Sequence, residues 1–156
     1  MLDKEKVLEY ITPKTAEFEG FSSKVYKCPA GYDTIGYGRN IEANPLSDSE
    51  KSQLNDKGEV SKEVALEWLK KDLSKCFDTA LNSLYWFSDL ETARAGAIVD
   101  MIYNLGFKGF SGFKKFAKAM EKKDYIKAVM ELEDSKWFKQ VGIRARDISK
   151  IIQLGI

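Results

Sequence analysis

Only one stretch of this chain reads as β structure, and the rest reads mostly as helix. Lys24 to Lys27 and Tyr32 to Tyr37 are rich in aromatic and β-branched residues, and the CPAG between them has proline and glycine where a type I turn takes them. A hairpin is expected there. From Ser61 the apolar positions Ala65, Trp68, Leu69, Leu73, Cys76, Phe77, Ala80, Leu81 and Leu84 recur at three- and four-residue intervals, which predicts a helix of about six turns. Ahead of the hairpin, Asp3 is the expected cap of a short helix to Tyr10. Thr12 before Pro13 is a second helix start, ended by Gly20. Ser47 with Glu50 and Ser88 with Glu91 read as capping boxes, the second opening a helix that stops at Gly106. Further helices are expected over 112–122, 125–133, 136–140 and 143–154, with Ser111, Asp124 and Ser135 as caps. The fold class is therefore α+β and mainly α.

At 156 residues with 44% hydrophobic composition, the chain can bury about two thirds of its unfolded surface in a real core. No apolar run approaches the ~20 residues of a membrane span, and MLDKEKVLEYI lacks a signal-peptide core, so a protein made in the cytoplasm is expected. Cys28 and Cys76 show no metal-ligand spacing and are expected as free thiols, Cys76 in the core. Residues 1–93 hold 12 Lys+Arg against 17 Asp+Glu, and residues 94–156 hold 13 against 7. The C-terminal half, at +6, suits a polyanion by charge alone, although a lysine-rich solvated surface gives the same count.

The chain contains no histidine. It cannot build a histidine-activated serine or cysteine nucleophile, nor a histidine-containing zinc site, so acid chemistry falls to a carboxyl. Glu19 lies in the last turn of its helix, where the negative end of the dipole disfavours ionisation. A glutamate followed by a glycine-rich hairpin suits glycoside hydrolysis, with one carboxyl protonating the leaving oxygen and a second group handling water. Gly31, Gly36 and Gly38 fit no phosphate-loop pattern and read as backbone freedom for the hairpin and room for a saccharide.

Glu19, Cys28 and Thr34 are separated by eight and five residues, and EGF, VYKC, GYDTIGYG, YNLG, GFSGF, SKW and GIRAR occur in that order along the chain. In these features the chain resembles the phage lysozyme, or endolysin, family, whose motif is Glu, eight residues, Asp or Cys, five residues, Thr. The resemblance covers residues 12–155. It implies a lysozyme-like, two-lobed single domain: a hairpin-bearing lobe at about 12–60, a linking helix at 61–84 and a helical lobe at 85–156. It also implies a muramidase cutting the β-1,4 bond between N-acetylmuramic acid and N-acetylglucosamine in peptidoglycan, without metal or cofactor. Such an enzyme would act as a monomer on the wall after leaving the cytoplasm, and would bind no nucleic acid and no membrane stably. Glu19 would be the general acid. Cys28 would be an ionised base or would hold the water with Thr34; a small residue packed at a turn is the plainer reading.

Tyr103 and Asn104 match the segment lining the family's cleft, although a satisfied helix-end amide explains Asn104 as well. Arg144 is similar to the arginine facing the catalytic glutamate; an arginine there would lower the acid's pKa, so a structural ion pair competes with catalysis as its role. Arg39 departs from the histidine common after GYG, and loss of a structural ion pair is expected there. The phenylalanines at 107, 110, 113 and 116 fit a stacking row for carbohydrate and, better, a helical core. Two other functions stay open: a lytic transglycosylase using a single acid, and a wall-binding module without activity.

Overall fold

The computed structural model describes all 156 residues. The elements run α1 (Lys4–Glu19), β1 (Ser22–Lys27), β2 (Asp33–Gly36), β3 (Arg39–Asn40), α2 (Asp48–Lys51), α3 (Lys62–Ser83), α4 (Thr92–Ser111), α5 (Lys114–Glu121), α6 (Tyr125–Glu133), α7 (Lys136–Val141) and α8 (Ile143–Leu154). A 3₁₀ turn at Phe87–Asp89 precedes α4. The class is mainly α within α+β, as the sequence predicts. The chain packs into two compact units, Thr12–Asp72 and Met1–Ile11 with Leu73–Ile156. The first eleven residues thus join the helical unit, and the division falls inside α1 and α3.

In the Thr12–Asp72 unit the strands form one antiparallel sheet in the order β1-β2-β3. Tyr26 pairs with Thr34 and Ser22 with Gly36, so β1 bulges between these pairs. Ile35, Val60, Ala65 and Trp68 form the core beneath it, with Phe21, Tyr37 and Leu46 packed around them. The predicted hairpin is present. The third strand, two residues long, is too short to leave a period-2 pattern.

In the other unit α4 carries the core, since every residue from Ala93 to Ile102 is buried. A helix buried on all sides is the one its neighbours pack around. Phe110 and Phe116 are fully buried and Phe107 and Phe113 half-buried, their rings meeting one another and Trp137. Core is therefore what the phenylalanine spacing encodes. Cys76 is half-buried rather than buried, and both cysteines are free.

Several local expectations are corrected. Pro13 does not open a second helix: α1 runs through it, because Val7, Leu8, Ile11, Thr12 and Thr15 continue one buried stripe across the missing N–H. The Thr12 hydroxyl consequently caps nothing and is buried without a partner. Ser88 forms no capping box. It lies in the 3₁₀ turn, while the Glu91 carboxylate is taken by Arg94 at 2.7 Å, which also donates to the carbonyls of Ile152 and Gln153. Ser111 does not cap α5, since its hydroxyl donates back to the Phe107 carbonyl and α5 begins at Lys114. Gly106, at φ 72°, interrupts α4 where a stop is expected, yet the chain regains helical form to Ser111. The Ser47–Glu50 box and the caps at Asp124 and Ser135 form as predicted.

Candidate functional site

α1 ends at Glu19, which is half-buried, and Gly20 turns the chain into β1 with φ 71°. The β1–β2 turn closes through the Gly31 N–H on the Cys28 carbonyl (2.8 Å) and the Cys28 N–H on the Tyr32 carbonyl (3.0 Å). That closure faces backbone N–H groups toward the sulfur. The Tyr32 N–H lowers the Cys28 thiol pKa most; partial burial opposes it, and the Ala30 N–H, the Thr34 hydroxyl and the Gly31 N–H lower it further. Thr34 is buried and its hydroxyl also lies 2.9 Å from the Tyr32 carbonyl. A hydroxyl has one proton, so it donates to the carbonyl or to the thiolate, and its lone pairs face the same place.

Glu19 belongs to this neighbourhood. A Cβ on Gly38, at φ 73°, would run into the Glu19 carboxyl, so glycine here makes room for the glutamate. Tyr26, opposite Thr34 and more than a third exposed, is a residue that the spacing argument misses. Burial raises its phenol pKa, and the negative charges of Glu19 and Cys28 raise it further. Its signal in the sequence is its position two residues before Cys28 on the same strand face. Carboxyl, thiol, hydroxyl and phenol are thus gathered by one hairpin and the end of one helix.

Arg39 overturns the expected loss of an ion pair. It is 4% exposed, and its guanidinium donates to both Glu50 oxygens at 3.0 Å and to Asp72 at 3.2 Å, with Nε on the Asn44 carbonyl and Nη2 on that of Pro45. A planar five-donor fork can satisfy two carboxylates and two carbonyls together. Glu50 also closes the capping box on the Ser47 N–H. The Arg39 hydrogen bonds hold the Glu50 carboxyl at about 2; burial opposes them, and the Ser47 N–H and the charges of Arg39 and Lys71 add to the lowering.

Tyr103, Asn104 and Arg144 lie in the other unit. The Asn104 Oδ1 accepts from the Trp137 indole at 2.7 Å, which leaves its NH₂ for other partners. Arg144 grips the fully buried Asp100 through two bonds, Nε to Oδ2 at 3.0 Å and Nη2 to Oδ1 at 2.9 Å. No three Cys, Asp or Glu side chains converge as metal ligands, and no helix is long and apolar enough to cross a membrane.

Similarity to known proteins agrees with this geometry. The chain is 26% identical over 152 residues to probable T4-type lysozyme 2 of Dictyostelium discoideum, and 27% identical over 154 to probable T4-type lysozyme 1 of the same organism. Each match covers 88% of this chain and 89% of the relative. It is also 28% identical over 153 residues to the pre-baseplate central spike protein Gp5 of Enterobacteria phage T4, across 88% of this chain and 26% of that protein. The family described as phage lysozyme matches residues 16–150, which include the carboxyl, the thiol and the hydroxyl gathered at the hairpin. The chain therefore belongs to the phage lysozyme family and is a lysozyme-type enzyme.

Proposed function

We propose that the chain is an endolysin-type muramidase that hydrolyses the β-1,4 bond between N-acetylmuramic acid and N-acetylglucosamine in peptidoglycan. Glu19 gives its proton to the glycosidic oxygen as that bond breaks. Cys28, as the thiolate, takes a proton from the water that attacks the anomeric carbon, and Thr34 accepts from the same water to aim it. The observation that carries this reading is the turn at Cys28, whose N–H groups favour the charged sulfur beside Thr34 and within electrostatic reach of the phenol that also senses Glu19. Tyr103 and the free NH₂ of Asn104 are assigned to the glycan, and Arg144, held on Asp100, to the frame behind them. The enzyme acts as a monomer, at the wall, after leaving the cytoplasm in which it is made.

Mass spectrometry of purified peptidoglycan after digestion tests the proposal. Reducing N-acetylmuramic acid ends are expected. Anhydro-muramic ends would make it a transglycosylase in which the sugar hydroxyl replaces water, and undigested polymer would make it a binding module.

A further inference from the structure

Within the Leu73–Ile156 unit, the end of α3, the 3₁₀ turn, the last turns of α4 and one face of α5 enclose a surface pocket of about 410 Å³. Its wall is aromatic, built of Trp86, Phe107 and Phe110. The rim carries Lys114 and Lys118, one turn apart on α5, together with Glu121, whose carboxylate accepts from the exposed Tyr85 phenol.

Three donors at this pocket, the Trp86 indole and the ammonium groups of Lys114 and Lys118, face solvent rather than protein acceptors. Trp68 and Trp137 place their indole N–H groups on Gln53 and Asn104. That of Trp86, a residue only 7% exposed, meets no protein acceptor, and neither lysine pairs with a carboxylate. The Trp86 indole nitrogen is not sealed from solvent, so it is a donor at the pocket wall that an acceptor from outside can reach. Aromatic faces suit the C–H face of a pyranose. Two ammonium groups above them suit a negative substituent.

We propose that this pocket is a second saccharide site, separate from the hairpin, that takes an anionic glycan, with the ring against Trp86 and Phe107 and a carboxylate on Lys114 and Lys118. The identity of the polymer rests on the muramidase reading: the carboxylates are those of the muramyl lactyl group and its peptide. Such a site would keep the enzyme on the polymer between cuts.

The three indole N–H signals in an NMR spectrum report on it directly, with that of Trp86 assigned through Trp86→Phe. Disaccharide–peptide fragments of peptidoglycan, already cut to the repeat unit, should move the Trp86 signal saturably. Binding should weaken at least about fivefold in the doubly substituted Lys114→Ala, Lys118→Ala protein, two exposed positions at which truncation leaves the core intact. An uncharged N-acetylglucosamine tetramer should bind more weakly than the fragments. A silent Trp86 signal, or binding indifferent to the lysines, overturns the proposal. A response to a glycerol phosphate polymer but not to the fragments overturns its assignment to peptidoglycan. Digestion of peptidoglycan with a silent Trp86 removes the pocket alone; a responsive Trp86 without digestion removes the muramidase reading and leaves a glycan site.

Discussion

Arg39 and Cys28 sit in the same small unit and treat charge in opposite ways. Around Arg39 one cation and two carboxylates are buried together, every guanidinium arm is used, and Trp68 lies 6.0 Å from the guanidinium. At Cys28 a half-buried thiol is tuned by backbone N–H groups and one hydroxyl, while the neighbouring Lys27, which feels its charge, is held on Asp33 at 2.8 Å. A group paired on all sides contributes to folding and can exchange nothing with a substrate. A group held by hydrogen bonds, without a buried ion pair, keeps its proton mobile. The contrast separates frame from chemistry, and substitutions at the two places should fail in different ways.

The largest effect is expected at the frame. Arg39→Ala leaves Glu50 and Asp72 buried without their cation and should cost about 3–5 kcal/mol in urea unfolding. A loss below about 1 kcal/mol would mean that water or Lys71 replaces the arginine, and the contrast would weaken. Acid gives the next effect. Because the folded Glu50 pKa lies at about 2, below its ordinary 4.5, the carboxylate contributes stability above pH 4.5 that is lost as pH falls toward 2. That contribution is about 3 kcal/mol, and Glu50→Gln should flatten the acid limb of unfolding midpoint against pH.

The thiol supplies the third prediction. With a thiol pKa below its ordinary value, the rate on sacculi should rise with pH through the neutral range as Cys28 ionises. Cys28→Ser should lose about 10²-fold in rate at unchanged stability, and Cys28→Asp should stay active. A serine variant of nearly full rate would leave Cys28 the lesser task of positioning water beside Thr34. The smallest effect concerns the +6 half: lysis of whole sacculi should fall a few-fold between low salt and about 0.3 M, as the Debye length drops below ~10 Å. A flat response would remove steering and leave the site untouched.

Legibility in the sequence extends to whatever is encoded within one turn or one hairpin. The CPAG turn, the Ser47–Glu50 box, the Asp124 and Ser135 caps and the helix at Ile143–Leu154 each depend on neighbours a few residues away. Pro13 misleads because a buried stripe reaching past it outweighs one lost hydrogen bond. Ser88 and Glu91 have capping-box spacing, but Arg94 holds the carboxylate while reaching the end of α8, a partnership across 58 residues that no local pattern announces. Arg39 is the same case, since its partners Glu50 and Asp72 lie 11 and 33 residues on. The site is legible for the converse reason: Glu19, Cys28 and Thr34 are brought together by a single turn, whereas Tyr26 needs the strand register to be known.

The claim that chemistry and frame are separate is tested most directly by Glu19→Gln, assayed for lysis of sacculi and for urea unfolding on the same preparation. The account predicts a rate lower by at least about 10²-fold, with an unfolding midpoint close to that of the unaltered protein. Lysis at the unaltered rate would contradict it.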